Sequence, residues 1–344
     1  MIGHERSLPV QNGVAASPDT MTPEQLQAYL GLTREEFARM DRETLKTLIE
    51  LKKETPVSSD KDAALDTTGW RYLLSPYKWS GYAKPEYIWQ PVSEVPKYNL
   101  VPLIIGSLKV TLIALLFAVP VALGASIYVS QLASSRLREI IKPVVELLAG
   151  IPSVVLGFFG LMVMATALNA FFNYCELHDW AAWCVPAHRS RLNALVAGLA
   201  LAFTVIPLVF SIAEDALTSV PRTYVQAALA LGASKWKAAT QVVLPAALPG
   251  VFAAVALGFG RAVGETMIVL MCSGNASITS SSILDSARTI TATIAAELGE
   301  VVFGSPHYHI LFLIGVLLFT VTFLTNFAAD IIMHRLKFKL EGKT

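Results

Sequence analysis

Five long apolar stretches, separated by polar segments, follow residue 100 of the chain. A helix needs about 20 mainly apolar residues to cross the hydrocarbon core of a membrane, and each stretch is at least that long. They cover about residues 101–131, 143–170, 192–213, 246–272 and 308–333. Buried helices of a soluble protein are the alternative, but five such lengths in one chain favour membrane spans. The pattern therefore predicts an all-α polytopic membrane protein with five transmembrane helices.

Charge divides the chain into two parts. Residues 1–99 contain 12 Lys/Arg and 14 Asp/Glu, whereas the following 245 residues contain only 15 and 12. We therefore predict a polar N-terminal region over 1–99 and a membrane domain over 100–340. Within the polar region, residues 22–53 favour short capped helices. Residues 69–99 are rich in Trp and Tyr, which is typical either of a segment along the outer membrane surface or of a small aromatic core.

The positive charges of the connecting segments predict the orientation. Ten Lys/Arg lie in 132–142, 214–245 and 334–344, against three in 171–191 and 273–307. Cytoplasmic loops carry the excess of Lys and Arg, so the first set is expected in the cytoplasm, together with the C-terminus.

An odd number of spans then places residues 1–99 outside, although Met1–Val10 does not resemble a signal peptide. Three explanations stay open at this point. An upstream membrane segment is missing from this chain, the polar region reaches the outside by another route, or one of the five spans is wrongly assigned.

Composition excludes several classes of protein. The chain is 54% hydrophobic and 15% charged, with a net charge of +1, which argues against a nucleic-acid-binding protein. Three cysteines exclude a disulfide-built scaffold. Cys175 and Cys184 lie in the same predicted outer loop, where they form either a disulfide or two free thiols. The outer histidines lack metal-ligand spacing and are expected to be ordinary loop residues: His178, His188, His307 and His309.

The connection between the third and fourth stretches contains a patterned segment, which we place within a cytoplasmic loop over 217–245. It reads Gln226-Ala227-Ala228, then Gly232-Ala233, and ends in Leu244-Pro245. This pattern predicts two short helices broken at Gly232, too ordered for a simple connector. An amphipathic surface helix pair is the plain alternative.

This segment resembles the EAA loop of ATP-binding-cassette (ABC) importer permeases, in which Glu-Ala-Ala is followed at fixed spacing by Gly, Ile and Leu-Pro. Gln226 replaces the Glu and Val242 the Ile, with the spacing kept. The resemblance implies the MetI-like permease fold and a coupling helix that sits in a groove of an ATPase subunit. The Gln at position 226 weakens any expectation of a charge contact there.

Narrower motifs extend the resemblance to about residues 97–340 and point to the C-type permease subunits of phosphate (Pst) importers. They are Val101–Thr111, Glu146–Ser153, Glu214–Leu217, Gly260–Met267 and Ser273–Ala276. The resemblance implies a permease that imports inorganic phosphate across a bacterial inner membrane. It also implies three partners, which are a second permease subunit, an ATPase dimer and an extracytoplasmic phosphate-binding protein.

Two charges fall inside the fourth stretch. Arg261 lies about 22 Å into the predicted helix at about 1.5 Å per residue, and Glu265 lies one turn further, so the two can pair. Intramembrane charges cost about 2.5–3.5 kcal/mol on insertion scales and are functional candidates. Arg261 is expected to offer its guanidinium to a phosphate oxyanion, with Glu265 holding it. The resemblance supports both as residues of the substrate path. A buried pair that only fixes helix packing is the alternative.

Other polar groups in or near the stretches are less specific. Pro152 frees a backbone carbonyl, which makes Pro152 and Ser153 candidates for a gate. Glu214 and Asp215 are expected to brace the cytoplasmic loops, and Lys109 to extend towards the outer interface.

Several features of an enzyme are absent from the sequence. No G-x-x-x-x-G-K-[ST] loop and no nucleophile with its base are present, so we expect a transporter subunit without its own cofactor, with ATP and Mg²⁺ on a partner chain. Two other functions stay open. One is import of another oxyanion, such as molybdate or sulfate, and the other is a non-transporting membrane partner in phosphate signalling.

Overall fold

The computed structural model describes residue 62, residues 65–177 and residues 189–340. These residues separate into two compact units, of which the smaller contains 62, 65 and 78–84 and the larger contains the rest. In the smaller unit the backbone N–H of Ser80 donates to the carboxylate of Asp62 at 2.7 Å. The helices predicted over 22–53 lie outside the described residues, and the domain boundary at residue 99 stays a prediction.

The described part of the chain is mostly helical. Its helices are α1 (Trp70–Leu74), α2 (Val101–Ile127), α3 (Ser135–Ala149), α4 (Ser153–Phe159), α5 (Ala165–Leu177), α6 (Ala194–Thr218), α7 (Arg222–Ala230), α8 (Lys235–Ala238), α9 (Leu244–Ala246), α10 (Leu248–Gly264), α11 (Met267–Cys272), α12 (Ile290–Glu297) and α13 (Pro306–Leu340). Three π-helical turns join or extend them, at Tyr128–Leu132, Gly160–Met164 and Ala239–Val243. Strands β1 (Trp89–Gln90) and β2 (Lys97–Tyr98) pair antiparallel, with Trp89 opposite Tyr98.

Within the described residues, four helical segments are long and apolar enough to cross a membrane. They are Val101–Leu132, Ser153–Leu177, Ala194–Thr218 and Pro306–Met333. A fifth span is obtained when the bent pair Lys235–Ala246 and Leu248–Gly264 is counted as one. The all-α polytopic fold predicted from the sequence is therefore confirmed, with corrections to the second and fourth spans.

The second span begins at Ser153, so the predicted start at residue 143 is wrong. Residues 143–149 belong to α3, a separate helix with no buried side chain. The chain leaves the helical conformation at Gly150-Ile151-Pro152 because the ring of a proline disfavours a helical residue before it. The apolar run continues through this break, which is why hydropathy alone extended the span.

The fourth span is broken, so the prediction of one helix over 246–272 is also wrong. Helix α10 lies at 73° to the segment that precedes it. It ends at Gly264, and Glu265 has extended backbone angles (φ −70°, ψ 134°). The chain becomes helical again only at Met267. Glycine is a weak helix former, which is consistent with an end at this position.

The main core lies between α2 and α6, where small residues let the two helices approach closely. A Cβ at Gly198 would lie only 2.4 Å from a methyl carbon of Ile113. Buried alanines continue the contact along both helices, including Ala114, Ala118 and Ala200. Small residues serve this purpose in membrane proteins, where packing rather than the hydrophobic effect holds helices together.

A second core lies where the pre-span residues meet the first and last spans. Trp89 and Tyr98 are each 3% exposed and pack there with Leu103 of α2, Ile290 of α12 and Ile310 of α13. These two aromatic residues therefore belong to a core shared with the spans, which differs from both interpretations of the aromatic segment.

Candidate functional site

The patterned loop over 217–245 folds as two helices that meet at Gly232, as predicted. Helix α7 ends at Ala230, and Gly232 adopts φ +86°, a left-handed conformation that glycine reaches without steric cost. Ser234 then caps α8, its hydroxyl accepting from the N–H of Lys237 at 3.3 Å. A π-helical turn continues α8 to Leu244 and Pro245, the last two residues of the motif.

One side of this loop is buried and the other is exposed. Ala239 and Val243 pack against Ile127 at the end of α2 and Leu217 at the end of α6. The opposite side shows Leu231 at 90% and Trp236 at 58% exposure. Of the remaining motif residues, Gln226, Ala227, Gly232 and Pro245 are exposed, and Ala228, Ala233 and Leu244 are half-buried. The loop thus presents an open surface with apolar side chains, which we call the coupling surface.

The structure separates Arg261 and Glu265, which the sequence predicted to pair on one helix face. Arg261 lies in the last turn of α10 and is exposed, whereas Glu265 follows the end of that helix and is half-buried. An i, i+4 pair needs a continuous helix, and the helix stops at Gly264. Over residues 65–177 and 189–340, no ion pair joins these two side chains.

The neighbours of the break in α10 are polar. The carbonyl oxygen of Glu265 accepts from the hydroxyl of Thr291 at 2.9 Å, and the hydroxyls of Thr289 and Thr291 are 3.2 Å apart. Next to Arg261, a Cβ at Gly260 would lie 3.3 Å from the amide oxygen of Asn326 in α13. The arginine therefore lies on a helix that is held against the last span, next to a stretch of non-helical backbone.

Pro152 and Ser153 lie where α3 passes into α4. The carbonyl of Pro152 accepts from the N–H of Val155 at 3.0 Å and from that of Leu156 at 3.3 Å, so it begins the helix. Ser153 is half-buried at the first helical position. Their role as a gate stays a prediction.

Lys142 has a role that the sequence did not indicate. Its ammonium lies 3.0 Å from the carboxylate of Glu214 and 2.8 Å from that of Asp215, and Thr218 donates to Glu214 at 2.9 Å. The hydrogen bonds that Lys142 donates, to Asp215 first and to Glu214 second, raise the pKa of Lys142 to about 12. The expectation that the two acids brace the loops is confirmed. Their partner is Lys142, which the sequence analysis counted only as one of the positive charges of its segment.

A second polar cluster lies at the start of the last span, around Glu297. This carboxylate accepts from the indole of Trp89 at 3.1 Å, from the imidazole of His307 at 2.9 Å and from the guanidinium of Arg288. His307 and His309 are both in the first turn of α13, so the prediction that they are ordinary loop histidines is wrong. Burial first, and the charge of Glu297 second, raise the pKa of the nearby Tyr98.

Two further residues singled out in the sequence, Lys109 and Cys175, lie among the described residues. The ammonium of Lys109 donates to the carbonyl of Ser282 at 3.1 Å and to that of Ser280, both in the predicted outer connection 273–307. Cys175 is a buried free thiol. Cys184, His178 and His188 lie outside the described residues.

Comparison with known proteins identifies related chains over most of this length. A family model for the inner membrane component of binding-protein-dependent transport systems matches residues 118–338. The phosphate transport system permease protein PstC of Mesorhizobium japonicum is 34% identical over 284 residues, which cover 79% of this chain and 81% of that protein.

Two other relatives cover a similar part of the chain. PstC 1 of Mycobacterium tuberculosis is 36% identical over 248 residues, covering 69% of this chain and 73% of that protein. The probable ABC transporter permease protein YqgH of Bacillus subtilis is 34% identical over 237 residues, covering 69% and 72%. The family match includes the coupling surface, the break in α10 and Arg261.

Proposed function

Because this chain belongs to the family of inner membrane components of binding-protein-dependent transport systems, we propose that it is the permease subunit of an ABC importer that moves inorganic phosphate into the cytoplasm. The observation that carries the choice of phosphate is the 34–36% identity to permeases named for phosphate transport, over 69–79% of the chain. The spans and the exposed arginine agree with an anion path.

Three partners complete the proposed importer. A second permease subunit forms the other wall of the path, an ATPase dimer binds on the cytoplasmic side, and an extracytoplasmic phosphate-binding protein delivers the substrate. The coupling surface and the C-terminus lie in the cytoplasm in this arrangement, as the distribution of Lys and Arg favours. ATP and Mg²⁺ bind to the ATPase chains.

Arg261 is the residue proposed to contact the moving anion. A charged side chain in a span without a partner is costly, and the structure leaves the Arg261 guanidinium exposed on α10. A planar guanidinium makes paired hydrogen bonds to phosphate oxygens. Glu265 lies four residues further along the chain and carries the opposite charge, which disfavours lasting retention of an anion. A transport site must release what it binds.

The coupling surface is proposed to receive the ATPase. Leu231 and Trp236 offer apolar contacts, and Gly232 allows the sharp turn between α7 and α8. Closure of the ATPase dimer on ATP would displace this loop and, with it, the ends of α2 and α6 on which the loop packs.

Phosphate uptake into proteoliposomes that contain the whole complex tests the proposal. We expect Arg261→Ala to leave a complex that assembles but imports phosphate at least about 100-fold more slowly, the loss of about 2.7 kcal/mol of anion stabilisation. Arg71→Ala, an exposed arginine outside the spans, is the matched control. Wild-type uptake by the Arg261→Ala complex would contradict the role of this residue.

The same vesicles separate the proposal from the two other functions. ATP hydrolysis stimulated by molybdate or sulfate, but not by phosphate, would identify another oxyanion as substrate. Binding of the ATPase without any flux would identify a non-transporting partner.

A further inference from the structure

Helix α3 lies between the first and the second span in the sequence, and it contacts the end of α6, the third span. It follows the π-helical turn Tyr128–Leu132 that ends the first span and runs directly into the break at residues 150–152. None of its side chains is buried, and its contact with the main core is made by the half-buried Ile141 and Val145. Its position therefore depends strongly on polar contacts.

Arg138 makes the first of these contacts. Its guanidinium donates to the carbonyl of Val129 at 3.0 and 3.1 Å from two nitrogens, and also to the carbonyl of Ser130. Both carbonyls belong to the π-helical turn at the end of the first span. This contact fixes the start of α3 to the end of α2.

Lys142 makes the second contact, one turn further along the same face of α3. It reaches Glu214 and Asp215, near the end of α6. The side chain of Glu214 is only 3% exposed, so its carboxylate needs this cation. The side chain of Lys142 is itself 35% exposed, so only the carboxylate end of the pair is buried. Loss of the cation leaves this buried carboxylate without its counter-charge and is destabilising, so the contact holds α3 against the end of α6.

The cytoplasmic loop rests on the same two helix ends. Ala239 and Val243 of the loop pack on Ile127 and Leu217, which lie next to the residues that hold α3. The loop, the ends of α2 and α6, and α3 are thus joined as one block. Helix α3 is also the direct covalent connection from this block to Ser153 and the second span.

We infer that Lys142 is a positioning residue for transport, because its bonds to Glu214 and Asp215 fix α3 to the end of α6 and pass a displacement of the coupling surface on to the break at residues 150–152. The inference rests on the proposed function, since it assigns the route between ATPase binding and the predicted gate. Lys142 does not contact the substrate in this mechanism.

The ratio of phosphate imported to ATP hydrolysed tests the inference in proteoliposomes that contain the whole complex. We expect Lys142→Met to lower this ratio about fivefold or more, within the range of coupling effects along packed networks. The double variant Lys142→Met/Glu214→Gln removes the uncompensated buried carboxylate, and with it the main folding defect, but does not restore the contact. Its ratio is expected to stay low.

Two further variants serve as controls. Lys142→Arg keeps a cation that can bridge both acids and is expected to restore the ratio. Arg136→Met changes an exposed cation on the same helix and is expected to leave the ratio unchanged. A ratio within twofold of wild type in the assembled double variant would overturn the inference.

Labelling of Ser153→Cys provides a readout that does not depend on phosphate. With Lys142 present, the rate of reaction with a water-soluble maleimide is expected to differ between the nucleotide-free and the ATP/vanadate-trapped complex, after subtraction of labelling in the parent chain. With Lys142→Met this difference is expected to disappear, and its persistence would overturn the inference. Absence of phosphate import by the wild-type complex contradicts the proposed function instead, and the labelling result still decides the role of Lys142.

Discussion

Glu297 shows how much one carboxylate can hold together. It is mostly buried and binds Trp89, Arg288 and His307, which belong to three separate segments of the larger unit. Hydrogen bonds to charged groups contribute about 1.5–3 kcal/mol each, more than neutral ones. The charge of Glu297 is therefore the main stabilising element of this cluster.

Replacing that charge is expected to destabilise the protein. Glu297→Gln leaves the mostly buried Arg288 without its anion, so we expect the free energy of unfolding in detergent to fall by about 2 kcal/mol. Thermal unfolding of the purified chain measures this effect. Glu300→Gln, three residues away and exposed, should unfold like the wild type, and equal stability of both variants would show that Glu297 is dispensable.

Lys142 leads to a prediction about pH. Its pKa is raised from 10.5 to about 12, so its contribution to stability is fully present below about pH 10 and is lost as the pH rises towards 12. The difference in thermal stability between wild type and Lys142→Met should therefore be the same at about pH 7 and about pH 9.5. A difference that shrinks within this range would contradict the assignment of the raised pKa.

Element by element, the sequence predicted the spans better than their interruptions. Continuous apolar runs identified most of α2, α6 and α13, although α6 and α13 extend five and seven residues beyond the predicted ends. The same runs hid the breaks at residues 150–152 and 265–266, because averaged hydropathy takes no account of backbone angles. Pro152 carried a signal for the first break, whereas the second break had only the weaker signal of Gly264, and the Thr291 hydroxyl that binds the Glu265 carbonyl there is 26 residues away in sequence.

Helix α2 offers a matched pair of glycines. A Cβ at Gly106 would lie 2.2 Å from the carbonyl oxygen of Arg288, whereas a Cβ at Gly124 would meet nothing within 4 Å. Overpacking of this kind costs about 1–3 kcal/mol, so we expect Gly106→Ala to lower the unfolding temperature of the purified chain. Gly124→Ala in the same helix should be neutral or slightly stabilising. Equal behaviour of the two variants would contradict the close approach at Gly106.

At the scale of the whole molecule, the orientation in the membrane follows from one predicted asymmetry of charge and has a direct test. Arg136 and Phe303 are both exposed, in the cytoplasmic and the outer connections of the proposed topology, and Arg136 lies outside the coupling surface. In intact spheroplasts a membrane-impermeant maleimide should label Phe303→Cys but not Arg136→Cys, and permeabilisation should allow both, after subtraction of the native cysteines. Labelling of Arg136→Cys alone in intact spheroplasts would reverse the orientation.

The candidate site was only partly predictable from the sequence. The coupling surface and Arg261 follow from local motifs, which a sequence displays directly. Lys142 contacts Glu214 and Asp215, which lie 72 and 73 positions further along the chain. These contacts and the cluster around Glu297 depend on how the helices pack. No local pattern carries that information.

The bond between Trp89 and Glu297 joins residues 208 positions apart, and His307 adds a partner from the start of the last span. At about 5–20 residues per second, roughly 10–40 s of protein synthesis separate Trp89 from Glu297. The earlier spans therefore enter the bilayer before Glu297 is available to bind Trp89 of the β1–β2 hairpin. The last span then adds His307, which also binds Glu297. Nascent chains that end before α13 lack His307, the third partner of Glu297, so their β1–β2 hairpin should be cleaved by protease faster than that of longer chains.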